Sequence, residues 1–370
     1  MQLEKIPERI NKKVRQHLRY YYYTKYKSRI EAKENTAVVN LGWFLLDKDW
    51  GRYSYILCQI LKFSGFKIVV KLDRYFFYTP APYKRMLLAE DYARVRHVSA
   101  ETDSIKLHCS GGVTKTIKLV FGYQLFKNKI DAYYLPYTLH PRFYQNYADN
   151  TDFSPYRNQE KKARIIFAGN FERKAYSRAI LKEDFEGTIF RVEVLDHIAA
   201  NFSSDSRIVY SSTKDHLYTL LDSGAARNSF IISEAKTPTE DWLPFLSKGN
   251  FYLCLPGGAM PLSHNAFEAM AVGTIPILQY KDLFYPPLEH MKNCIAYESY
   301  ETLDEALEMA LNMKEEELLR MQAEVIQYYD TYLATRQVIK RIKTFVDSKQ
   351  ETMTIAIPYL NTKRNKPPRF

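Results

Sequence analysis

Apolar residues in this chain come in short runs, each closed by a glycine or a polar turn and followed by a stretch with helical spacing. Residues 36–41 predict a first strand, 53–63 a helix capped by Gly65, and 67–72 a second strand, a βαβ opening. Segments 93–98, 104–109 and 116–121 alternate less cleanly, and 130–136 predicts another buried strand. Residues 147–160 are polar and predict a linker. Beyond it come a strand at 163–168, helices at 177–182 and 214–223, and a strand at 230–233. Helices over 303–312, 315–332 and 336–346 close the chain. Strands alternating with helices predict an α/β chain of two Rossmann-like domains.

The most informative stretch opens with Phe251-Tyr-Leu-Cys-Leu-Pro-Gly-Gly258 and runs on to Tyr280. Residues 251–255 predict a strand buried on both faces. Pro256, Gly257 and Gly258 end it and permit close approach of a ligand. Ser263 is placed to cap a helix carrying Phe267, Met270 and Ala271, Gly273 to end it, and 274–278 to form the next strand. Parallel strands joined by a helix bind ligands at their carboxyl ends, where a helix N-terminus attracts anions. Glu268, about one and a half turns into the helix, suits hydroxyl groups. Together they suit a ligand with both phosphate and vicinal hydroxyls, such as a nucleotide sugar.

This stretch resembles the donor-binding half of two-domain GT-B glycosyltransferases, and within them the exostosin-like group. That group's pattern is strand, Pro, Gly, then Ser-x-Arg-x-x-Glu-Ala and a Gly-x-x-Pro-Val strand; Ser263, Glu268, Ala269, Gly273 and Pro276 match it. Asn265 stands where the pattern has Arg, which removes a charge from the phosphate side. A second match is Arg164-Ile-Ile-Phe167-Ala168-Gly169-Asn170, followed by Arg173, Lys174 and Arg178. The resemblance covers roughly residues 160–330. It implies a GT-B fold with two Rossmann-like domains facing across a cleft. It also implies sugar transfer from a nucleotide-sugar donor to a saccharide, such as a lipid-linked or cell-envelope glycan.

On this reading Gly169, Asn170, Arg173, Lys174, Gly257, Gly258, Ser263, His264, Asn265 and Glu268 bind the donor. Arg173 or Lys174 replaces the charge missing at Asn265 and stabilises the leaving diphosphate without a divalent metal or other cofactor. Glu268 accepts from donor hydroxyls, so Glu268→Ala is expected to keep the fold and abolish donor use. Asp47 and Asp49, in an Asp-Lys-Asp turn, and His140, after a strand, are rival candidates for the catalytic base. Trp242 is placed either beside the nucleotide base or in the core. A nucleotide-sugar 2-epimerase and a non-catalytic glycan- or membrane-binding protein of the same layout stay open as alternatives.

Composition changes the picture in two places. The 370 residues carry a net charge of +11, but residues 1–36 hold +6 of it and residues 362–370 hold +4. Subtracting both leaves +1 on 37–361, which argues against a nucleic-acid groove and favours basic ends that touch an anionic membrane surface. Within the N-terminal stretch, Ile10, Val14, Leu18, Tyr22, Tyr26 and Ile30 predict a basic amphipathic helix. The implied organisation is a basic helix (1–36), an acceptor-side domain (37–146), a linker (147–160), a donor domain (161–335), a returning helix and segment (336–361) and a basic tail (362–370). Cys58, Cys109, Cys254 and Cys294 show no metal-ligand spacing, and no apolar run nears the ~20 residues of a membrane span. The expected location is cytoplasmic, at or near the membrane face.

Overall fold

The structure, a computed structural model, describes residues 33–40, 51–71, 81–94, 103–122, 131–145, 152–176, 187–258 and 260–358. The expected N-terminal helix, the Asp47–Asp49 turn, the 177–182 helix and the basic tail lie outside them. In chain order the elements are β1 (Thr36–Asn40), α1 (Arg52–Phe63), β2 (Lys67–Lys71), α2 (Pro82–Ala89), β3 (Ala93–Arg94), β4 (Ser104–His108), β5 (Thr114–Phe121) and β6 (Tyr133–Tyr134). Then come α3 (Ser154–Arg157), β7 (Ala163–Ala168), α4 (Arg173–Tyr176), α5 (Arg191–Asn201), β8 (Ile208–Ser211), α6 (Lys214–Asp222), β9 (Phe230–Ser233) and α7 (Thr239–Ser247). They are followed by β10 (Gly249–Leu253), α8 (His264–Ala271), β11 (Ile275–Leu278), β12 (Ile295–Ala296), α9 (Tyr300–Asn312), α10 (Glu315–Tyr328), α11 (Thr335–Asp347) and β13 (Thr352–Ile357). Among the described residues no helix is long and apolar enough to cross a membrane.

The chain divides into two compact units, each with its own sheet, and the α/β expectation is met in both. Unit 1 joins Met1–Leu135 to Thr335–Phe370. Its seven strands run β3-β2-β1-β4-β5-β13-β6. The opening pair β1 and β2 is parallel, with Val38 opposite Val69. One strand departs from a parallel sheet: β4 runs antiparallel to both β1 and β5. A short turn at Ser110–Gly112 explains this, because β4 and β5 form a hairpin. Sequence periodicity did not mark β13, yet it pairs with β5 along Thr352–Ile357 and also with β6. Unit 1 is therefore built from both ends of the chain.

Unit 2 spans Pro136–Ala334, so the segment expected as a linker belongs to it. Arg157 shows why: its guanidinium makes two 2.9 Å bonds to Asp330, and its Nε donates at 2.9 Å to the Ala271 carbonyl. The unit-2 sheet is wholly parallel, in the order β12-β11-β10-β7-β9-β8. Its inner strands are apolar on both faces, as helix-covered parallel strands require, and Phe167, Phe230 and Phe251 are almost completely buried. β10 begins two residues earlier than expected and α8 comes after its loop, so the N-terminus of α8 lies at the carboxyl edge of the sheet.

Candidate functional site

The site is assembled within unit 2, at that carboxyl edge. The glycine turn and the helix cap form largely as the residues dictate. Ser263 is extended, and its hydroxyl accepts from the Asn265 amide at 3.4 Å. Gly273 takes a left-handed φ of 74° after the helix, which a side chain there would strain. Gly257 serves its own loop rather than open space: a Cβ there would lie 2.7 Å from the Met260 carbonyl oxygen.

Glu268 is placed differently from the expectation of a hydroxyl-binding group. It is completely buried, and protein donors occupy both oxygens. The His140 amide donates to Oε1 at 2.7 Å. Trp242 Nε1–H and His264 Nδ1 both reach Oε2 at 2.7 Å. Burial pushes the carboxyl upward, but the His264 charge and hydrogen bond, with the His140 amide, outweigh it and hold Glu268 below its ordinary value. Truncating it to Ala would leave three N–H groups without their acceptor, so the expectation of an undisturbed fold is replaced by one of destabilisation.

His140 and His264 meet edge to face, with ring centroids 5.3 Å apart. Nδ1 of His140 accepts from the Arg142 amide. The His264 side chain is 31% exposed, and among the described residues its Nε2 has no partner. Trp242, weighed between base stacking and core, spends its indole N–H on Glu268 and packs against Phe245 and Tyr252.

Asn265 donates from Nδ2 to the Tyr252 hydroxyl at 3.1 Å, while its buried Oδ1 has no partner among the described residues. Tyr252 in turn donates to the Ala168 carbonyl, which links α8 to the end of β7. Gly169 and Asn170 continue from that end, and the Asn170 side chain accepts from the Glu172 amide. Arg173 is exposed and makes two bonds, 2.8 and 2.6 Å, to Asp196. Lys174 lies in α4, and its side chain is outside the described set. Asp47 and Asp49 are likewise outside it.

Arg191 was not singled out from the sequence. It sits at the start of α5, only 5% exposed. Nη1 reaches the Asn170 carbonyl at 3.3 Å and Nη2 the Leu255 carbonyl at 3.5 Å, so the guanidinium lies across the ends of β7 and β10. It stacks on the Tyr176 ring at 3.9 Å. Among the described residues its buried Nε has no partner, and no carboxylate pairs with the group. The Tyr280 and Tyr297 hydroxyls are also buried without partners among the described residues, and Tyr280 lies within electrostatic reach of Arg191, Tyr252 and Tyr297. Sequence carries only a faint signal here, an Arg opening a helix where acidic residues are favoured. Among the described residues no group of three or more His, Cys, Asp or Glu is arranged to hold a metal ion.

The chain matches no protein-family model and no curated protein. Among solved structures it is similar to the N-terminal domain of Candida albicans trehalose-6-phosphate phosphatase. Identity is 9%, over 94% of this chain and 78% of that one, with a TM-score of 0.35. It is also similar to a mutant of S. aureus TarM in complex with fondaparinux, alpha-GlcNAc-glycerol and UDP. Identity there is 12%, over 77% of this chain and 56% of that one, with a TM-score of 0.35. A third is Anabaena Alr3699/HepE in complex with UDP and glucose, at 10% identity over 84% of this chain and 71% of that one, with a TM-score of 0.32. The chemistry of the site rests on its own residues.

Proposed function

We propose that the chain is a GT-B, exostosin-like glycosyltransferase whose unit 2 holds a nucleotide-sugar donor and moves its sugar to a saccharide acceptor. One observation carries the reading: a buried guanidinium with no carboxylate partner among the described residues lies across the carboxyl ends of two central parallel strands. A buried cation costs several kcal/mol unless something pairs with it. A diphosphate meets that need, and the polar atoms of Asn265, Tyr280 and Tyr297 that lack a partner among the described residues suit a ligand rich in oxygen. Arg191 rather than Arg173 then supplies the charge absent at Asn265, with no divalent metal required. The acceptor is a lipid-linked or cell-envelope glycan, reached at the cytoplasmic membrane face with the basic ends of the chain on the anionic surface.

The test is a thermal-shift panel of UDP, GDP, TDP and CMP and their common sugars, with and without Mg²⁺. A ligand at about 100 times its dissociation constant stabilises the native state by ~2.7 kcal/mol. One nucleotide family raising the melting temperature supports the donor site, and transfer to an added glycan then supports the transferase. Release of a free altered sugar without any acceptor would instead indicate an epimerase, and binding without turnover a non-catalytic protein. No shift with any nucleotide removes the nucleotide-sugar reading.

A further inference from the structure

The binding reading leaves one chemical group in unit 2 without a task. His264 stands next to the N-cap of α8, on the same edge as Arg191: its neighbour Asn265 bonds Tyr252, and Tyr252 bonds the end of β7. Nδ1 of His264 is committed to Glu268, one helical turn on, at 2.7 Å. A carboxylate on one imidazole nitrogen sets the tautomer, orients the ring and stabilises the imidazolium. Glu268 is itself immobilised by Trp242 and the His140 amide, so the ring is held by a fixed anion. Nε2, the nitrogen left over, has no partner among the described residues and belongs to a partly exposed side chain at a helix N-terminus. Among the described residues the titratable groups facing the ring are Glu268 on its own helix and His140 from the 131–145 segment.

We infer that His264 is the catalytic acid of the transfer and Glu268 its positioning residue, an inference that rests on the donor reading above. The bond between the anomeric carbon and the leaving phosphate oxygen breaks with its electron pair going to that oxygen. The Nε2 proton of the imidazolium passes to the same oxygen as charge develops there. The acceptor hydroxyl oxygen forms the new bond to carbon and releases its proton to water, and His264 is reprotonated from solvent. This assigns Glu268 to the ring behind the donor rather than to the donor's hydroxyls.

The experiment measures nucleoside diphosphate release from UDP-glucose, UDP-N-acetylglucosamine, GDP-mannose and dTDP-glucose by the full chain across pH 5–9. General acids contribute ~100- to 10,000-fold. His264→Gln is expected to lower kcat by about 100-fold, to leave the donor KM within a few-fold and to abolish the high-pH fall of the kcat profile. In a second readout the chain carries ¹⁵N-labelled histidine and His264 is assigned through H264Q. Its Nδ1 is expected to stay protonated, and its Nε2 signal to move when inorganic pyrophosphate is added. Wild-type turnover in H264Q, or an Nε2 signal indifferent to pyrophosphate, overturns the proposal and leaves the donor reading standing. A wild-type chain that neither binds nor cleaves any of the four sugars overturns the donor reading, and the proposal with it.

Discussion

His264 Nδ1 and Glu268 Oε2 lie 2.7 Å apart on the same face of α8, and the carboxylate of that pair has no exposed surface. A carboxylate this deep persists as an anion because three N–H groups converge on it. The pair thus belongs to the packing of the unit as much as to its surface chemistry.

Removing that anion has a structural cost. Breaking a buried, hydrogen-bonded charge pair typically costs ~3–5 kcal/mol. Glu268→Ala is therefore expected to lower the melting temperature of unit 2 by roughly 10 °C. Glu268→Gln, which keeps an acceptor oxygen, should lower it by less. Calorimetric scans of both variants decide it, and an Ala variant melting with the wild type would contradict the assigned bonds.

The same carboxyl makes stability depend on acidity. Its folded value lies below its unfolded one, near 4.3 for a free glutamate. The unfolded chain therefore takes up the proton first, and stability falls as pH falls. The contribution is complete above about pH 4.3 and is lost on descending through the folded value. Urea midpoints between pH 6 and 3 should decline more steeply in the wild type than in Glu268→Gln.

Arg191 should separate from ordinary core residues in the opposite sense. Arg191→Met removes a buried charge that no carboxylate among the described residues balances, so stability is expected within ~1 kcal/mol of wild type or above it. Stabilisation by the nucleotide that shifts the wild type should vanish. Arg173→Met, which breaks an exposed pair with Asp196, should preserve that stabilisation. A loss of ~3 kcal/mol or more in unliganded Arg191→Met would make the residue structural.

In unit 1 the corresponding test falls on Lys115. It is 5% exposed, and its ammonium donates to the carbonyls of Phe345, Ser348 and Gln350, where α11 turns into β13. Charged hydrogen bonds of this kind are worth ~1.5–3 kcal/mol. Lys115→Met should speed hydrogen exchange across α11 and β13 and leave unit 2 unchanged. Unaltered protection there would show that strand pairing alone secures the returning segment.

What the chain declares on its own is local. Short apolar runs and helical spacing located β1, β2, β7, β9 and α8 to within a residue or two, because those patterns arise from neighbouring residues alone. Ser263 and Gly273 declared the ends of α8 for the same reason, and the four-residue spacing of His264 and Glu268 already put them on one face. Tertiary structure decided the rest. Glu268 bonds Trp242 and the His140 amide, partners 26 and 128 residues away, and no local pattern encodes such a meeting. β13 finds β5 across more than two hundred residues, and Arg191 reaches the ends of two strands only once those strands are side by side. Burial of a charge depends on everything packed around it, which is why the residue that carries the functional reading looked like any other arginine until the sheet was formed.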